Sequence, residues 1–246
     1  MPDQPEQQAP PVQRLRVRYA KRGRLRFTSH RDFSRAFERA LVRAQVPMAY
    51  SSGFNPHPRI SYAGASPTGA ASEAEYLEIG LAREVEPDSL GAELDAALPA
   101  GLDVVEVVIS PGGSLSDRLE ASRWRITLVD RAPAEVSEAV TDFLAAEEVM
   151  VERMTKKGLR NFDCRGAVVS LTSHACPDRS EECAILDVVL RHGTPSVRPD
   201  DILAGLRALA GLEVAAAPLH ERLAQGPLDS QTGTVGDPFE HDRDRA

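Results

Sequence analysis

Residues 14–45 read RLRVRYAKRGRLRFTSHRDFSRAFERALVRAQ and set the expectation for the whole fold. Arg14-Leu15-Arg16-Val17-Arg18-Tyr19 alternates strictly between charged and other side chains. That period of two predicts a half-buried strand, because successive strand side chains point to opposite faces. Residues 21–24 turn the chain into a short extension at 25–27. Ser29 then suits a helix N-cap, and Asp32 stands where a capping box places its acidic partner. The helix is expected to run to about Gln45. Phe33, Phe37, Ala40, Leu41 and Ala44 fall on one face, and Arg35, Arg39 and Arg43 on another.

Outward from this strand and helix, residues 47–51 read as a second short strand and 53–58 as a loop. Residues 60–63 and 75–81 are extended. A helix at 87–98 ends at Pro99 and Gly101, and 102–109 closes the unit. The order β-α-β-β-α-β is the ferredoxin-like one. A looser repeat follows, with strands at 124–129, 149–154, 167–171 and 184–190, helices at 134–145 and 199–209, and a closing strand at 212–216. The expected fold class is α+β, two tandem ferredoxin-like lobes at 13–111 and 122–217. Gly112-Gly113-Ser114 opens a linker at 112–121. Residues 1–12, rich in Pro and Gln, and residues 218–246 read as disordered tails.

The chain has 246 residues, 42% apolar and 27% charged, as globular proteins do. No run approaches the roughly 18 apolar residues of a membrane span, and residues 1–12 lack the basic and apolar regions of a signal peptide. The cytoplasm is therefore the expected compartment. Cys164, Cys176 and Cys183 show no CxxC-type pair and are expected to be reduced structural thiols. Arg outnumbers Lys 26 to 3, which reflects base composition more than function. The net charge of −8 hides a strong asymmetry. Residues 14–62 hold twelve Lys and Arg against two acids, Asp32 and Glu38, a balance of +10 that leaves −18 elsewhere. Segregation of this size points to a polyanionic partner, or to an acidic surface elsewhere in the chain.

Three runs carry a resemblance: Leu25-Arg-Phe-Thr-Ser-His-Arg-Asp32, Gly53-Phe-Asn-Pro-His-Pro-Arg59 with Ile60-Ser61, and Gly69 through Ser72-Glu73 to Glu75-Tyr76. In this order they resemble the radical-SAM-associated (radical-SAM-linked) family, a domain of unknown function, over roughly residues 14–217. Members of that family are fused behind a radical-SAM enzyme domain or stand as separate chains. There is no CxxxCxxC run here, so the usual ligation of a radical-SAM cluster is missing. Arg31 stands where that family usually has Leu. The resemblance implies a companion to such an enzyme or to RNA metabolism, and no established activity.

The residues suggest several roles. Arg14, Arg16 and Arg18 share one strand face at intervals of about 6.6–6.8 Å, and Arg24 and Arg26 continue it. Such a ladder suits backbone phosphates. Arg35, Arg39, Arg43 and Arg59 would extend it. The aromatic signature of RNA-recognition motifs is absent. His30, in the first helical turn, is a candidate acid–base group or a capping residue, and Asp32 beside it a candidate acid or a helix-start residue. In the loop, Pro56 and Pro58 would stiffen the backbone that holds Asn55 and His57. That makes His57 the second candidate catalytic group and Asn55 an orienting one. Glu73, Glu75 and Glu78 would make a metal site only if they met His30 and His57 in space. No metal or cofactor is assigned. The basic run at 156–160 would lengthen a phosphate-binding surface or form a solvated hairpin. Three functions follow: an RNA-binding accessory protein working with a separate radical-SAM enzyme or RNA-processing assembly, an RNA-modifying or RNA-cleaving enzyme using His30 and His57, or a module that docks an acidic protein.

Overall fold

The alternating run forms a strand. In the computed structural model, which describes residues 7–155, 158–177 and 182–243, β1 (Gln13–Lys21) places Leu15, Val17 and Tyr19 in the core of the first unit. A 3₁₀ turn (Gly23–Phe27) leads into α1 (His30–Arg43). Ser29 caps this helix: its Oγ accepts from the Asp32 amide, and its hydroxyl donates to Asp32 Oδ2 at 2.6 Å. Phe33, Phe37, Ala40 and Leu41 are the buried face of α1, as their spacing predicts. Phe33 stacks on Tyr19 with centroids 4.2 Å apart, which fixes the helix over β1.

The chain divides into two units, Met1–Arg118 with Pro238–Ala246, and Leu119–Asp237. In the first, β2 (Ile60–Ala63), β3 (Ala71–Leu81), α2 (Pro87–Ala97) and β4 (Leu102–Ile109) follow α1. Their strands lie in the order β4-β1-β3-β2, antiparallel at each junction. Both helices pack on the face that carries Leu15, Val17, Leu77 and Ile79. Residues 47–51, expected as a strand, make only isolated bridges, Met48 to Leu81 and Tyr50 to Pro58.

The second unit runs β5 (Ala121–Leu128), α3 (Pro133–Ala145), β6 (Met150–Thr155), β7 (Gly158–Asp163), β8 (Val168–Ala175), β9 (Ala184–Arg191), α4 (Pro199–Ala210) and β10 (Leu219–Gly226). Its strands lie in the order β10-β5-β9-β8, again antiparallel. The expected strand at 149–154 is real but belongs to a separate hairpin, β6 with β7. Of the basic run at 156–160, Lys156 and Lys157 lie outside the described residues.

Two expectations are corrected here. The segment after Pro218 is not a disordered tail: β10 pairs along β5 from Leu219–Thr127 to Gly226–Ala121. It is followed by β11 (Leu228–Asp229), β12 (Thr234–Val235) and α5 (Glu240–Arg243). Residues 212–216, expected to close the unit, form no strand. Backbone pairing orders a segment whose side chains, Leu-His-Glu-Arg-Leu-Ala-Gln-Gly, are too polar to announce it. Residues 1–6 and 244–246, parts of the expected tails, lie outside the described residues, and 7–12 form no helix or strand.

The pairing of Cys176 with Cys183 is the second correction, while Cys164 remains the reduced thiol expected. Cys176 and Cys183 are joined in a disulfide. Ala175 and Ala184 are paired as the last rung of β8 and β9, so the next positions outward face each other, with Cα atoms 5.4 Å apart. Cys164 is a free, buried thiol, pushed up to about 12 by burial and then by the nearby Asp163 carboxylate. No helix among the described residues is long and apolar enough to cross a membrane.

Candidate nucleic-acid interface

The arginines of β1 lie on the sheet face turned away from the helices, and the chain itself covers much of that face. Arg16 is fully buried. Its Nη1 donates to Asp242 Oδ2 at 2.7 Å, its Nε to Glu78 at 3.1 Å, and its Nη2 to the carbonyls of Gly112 and Gly113. Asp242, also fully buried, accepts a second bond from Arg118. Phe239 packs edge-on against Tyr76, and Arg243 pairs with Glu106, so α5 and the residue before it are fastened to this face at three points. Arg18 is half-buried and donates to the Glu73 carbonyl. Arg14 is exposed but paired with Glu78, and with Arg59 it lines a cleft of about 250 Å³. The expected phosphate ladder is thus corrected at Arg16, whose charge is already neutralised inside the protein.

The outer face of α1 is different. Arg31, Arg35 and Arg39 are exposed and stand four residues apart, so they form one ridge about 12 Å long. Among the described residues none of the three has an ion pair or side-chain hydrogen bond. Asp32, next to Arg31, is engaged in the cap, and Glu38, next to Arg39, forms no ion pair with the ridge among the described residues. Like charges at this spacing cost an isolated helix about 0.2–0.5 kcal/mol a pair. The helix is held by its buried face, where Phe33 stacks on Tyr19. Arg43 closes the ridge by donating to the Ala97 carbonyl at the end of α2. The ridge was half visible in the sequence: the spacing 31–35–39 was there, but Arg31 stood out only as a departure from a family pattern.

Arg24 and Phe27 stand exposed on the turn before α1, with Arg26 half-buried between them. Arg22 is withdrawn from this group, bridged to Glu73 and Asp103, and its pKa is raised chiefly by the Glu73 carboxylate. The turn is held by hydrogen bonds from the Gly69 amide to the Arg26 carbonyl, 2.8 Å, and from the Arg22 amide to the Gly101 carbonyl, 2.8 Å. The first and third motif runs therefore meet. Arg26 Nε, Tyr62 Oη and Ser66 Oγ are buried with no hydrogen-bond partner among the described residues. Burial raises the Tyr62 pKa despite the neighbouring Ser34 hydroxyl.

His30 is exposed and sets its ring edge-on to Tyr62, centroids 4.7 Å apart. His57 is also exposed; its amide donates to Ser51 Oγ and its carbonyl accepts from the Ser51 amide, closing the loop that carries Asn55, Pro56 and Pro58. Asn55 and Phe54 project from that loop. Among the described residues no hydrogen bond or ring contact joins His30 to His57, and neither bonds a carboxylate. Asp32 is taken up by the cap. Glu73, Glu75 and Glu78 are committed to Arg22, the Ser66 amide, and Arg14 with Arg16, respectively. No group of three His, Cys, Asp or Glu residues among those described could hold a metal ion.

Fold and surface together define an α+β chain of two units whose first carries an arginine ridge and a basic turn on one helix. Residues 14–199 match the model of the family DUF2344, described as an uncharacterized protein conserved in bacteria, and the chain belongs to that family. No curated protein matches it.

Proposed function

We propose that this protein is a non-catalytic RNA-binding accessory protein that acts in the cytoplasm with a separate radical-SAM enzyme or RNA-processing assembly. The observation that carries this reading is the ridge of Arg31, Arg35 and Arg39, uncompensated on an otherwise acidic chain. Arginine forks match phosphate oxygens, and an unpaired row of them is a natural counterpart for a polyanion. Arg24 and Arg26, on the turn just before α1, add to the positive charge of this segment. The strand orders β4-β1-β3-β2 and β10-β5-β9-β8 support reading both units as ferredoxin-like, the second with the β6–β7 hairpin inserted. The choice of RNA, and of a radical-SAM partner, rests on the three-run resemblance.

The accessory role, as opposed to catalysis by His30 or His57, is tested on one gel that reads both shift and cleavage of labelled cytoplasmic RNA. Binding without cleavage, unchanged in His30→Ala and His57→Ala, is the expected result. Cleavage or modification lost in either variant would make the protein an enzyme.

A further inference from the structure

We infer that Phe27 is a stacking platform for an unpaired nucleobase, so that the RNA taken by the ridge is single-stranded where it meets the turn before α1. The inference deepens the RNA reading and rests on it. Phe27 is 59% exposed. An isolated exposed aromatic is ordinary, but this one is built into its surroundings in three ways. The Arg26 guanidinium lies over its ring, 4.8 Å from the centroid. That cation–π contact takes one face of the ring, so a stacked base takes the opposite one. Among the described residues the Arg26 side chain makes no hydrogen bond or ion pair, its buried Nε included, so no other described group competes for that guanidinium. The turn is also fixed in advance. Thr28 donates to the Leu25 carbonyl at 2.9 Å, Leu25 to Arg22 at 3.0 Å, and Gly69 to Arg26 at 2.8 Å.

The neighbourhood matches the ligand. Gly69, whose φ of +96° favours glycine, closes the turn beside the Phe27 ring. The exposed Arg24 and Arg31 flank the turn in sequence and supply charge for the phosphates on either side of a stacked base. Aromatic rings and arginines in alternation are what single-strand binding surfaces use, since every base has a π-face. A duplex hides its bases, and the ring would gain nothing from one.

The test compares a 12-nucleotide oligo(A) RNA with a duplex RNA of equal length, both fluorescein-labelled, titrated with the full chain by anisotropy. Phe27→Ala should weaken single-strand binding about tenfold. It should leave duplex binding and the salt dependence unchanged, while Phe27→Tyr restores affinity. In Phe27→Trp, oligo(A) should quench the new emission, since Trp124, the chain's one tryptophan, is buried. If Phe27→Ala binds the single strand as wild type does, the platform is wrong while the ridge stands. Equal losses on both RNAs would show a structural role and also overturn it. If wild type binds neither RNA, the RNA reading fails and the platform with it.

Discussion

The Trp124 Nε1–H donates to Ser122 Oγ at 2.8 Å, and Ser122 Oγ lies 3.0 Å from His192 Nε2. His192 Nδ1 is 2.7 Å from the Leu119 carbonyl, which can only accept. The proton must therefore sit on Nδ1, leaving Nε2 to accept from the Ser122 hydroxyl. Burial lowers the His192 pKa, and Arg222 adds to the effect against the pull of the Leu119 carbonyl. A histidine depressed below about 6.5 binds more protons unfolded than folded. Its contribution to stability is complete above that value and is lost as pH falls through the folded one. NMR titration of the His192 ring should give a midpoint below 6.5, and one at or above it would contradict the burial argument. At this level some residues could be read from the sequence and others not. Ser29 and Asp32 announce their cap because capping is local. Arg16 gives no sign of burial, because its partner Asp242 lies 226 positions away.

The C-terminal helix α5 shows why elements differ in how plainly the sequence announces them. α1 is visible because its apolar and basic residues recur at helical spacing. α5, four residues long, has no period to read, and its docking on Arg16, Arg118 and Glu106 defines it. β10 is hidden similarly, since it is ordered by the backbone of β5. The Cys176–Cys183 pair depends on the β8–β9 register, which local sequence does not contain. If α5 is held as described, Asp242→Ala removes one of the two carboxylates on a fully buried guanidinium. Breaking a buried pair costs about 3–5 kcal/mol. The lower end is expected, because Glu78 and two carbonyls remain. Urea denaturation should show a loss of about 3 kcal/mol, with Asp242→Asn less affected. A change below about 0.5 kcal/mol, the size of ordinary surface substitutions, would mean that α5 is not held there.

Across the molecule, the charge segregation read from the sequence survives but changes place. The basic segment does not present one continuous arginine face: part of its charge is neutralised internally by Glu73, Glu78, Asp103 and Asp242. What remains outward is the ridge of α1 and the turn before it. Composition could show that an excess existed, but only the fold separates arginines that serve stability from those left for a partner. The family membership adds no activity to this account, so the ridge must carry it. The decisive measurement is the salt dependence of single-stranded RNA binding, by anisotropy, for wild type and for the combined Arg31→Gln, Arg35→Gln and Arg39→Gln variant. Each phosphate contact on a single strand contributes about 0.7 to the slope of log K against log salt. Wild type should bind in a salt-sensitive way, and the variant should show a slope shallower by about 2 with folding unchanged. Identical slopes, or no binding by wild type at low salt, would contradict it.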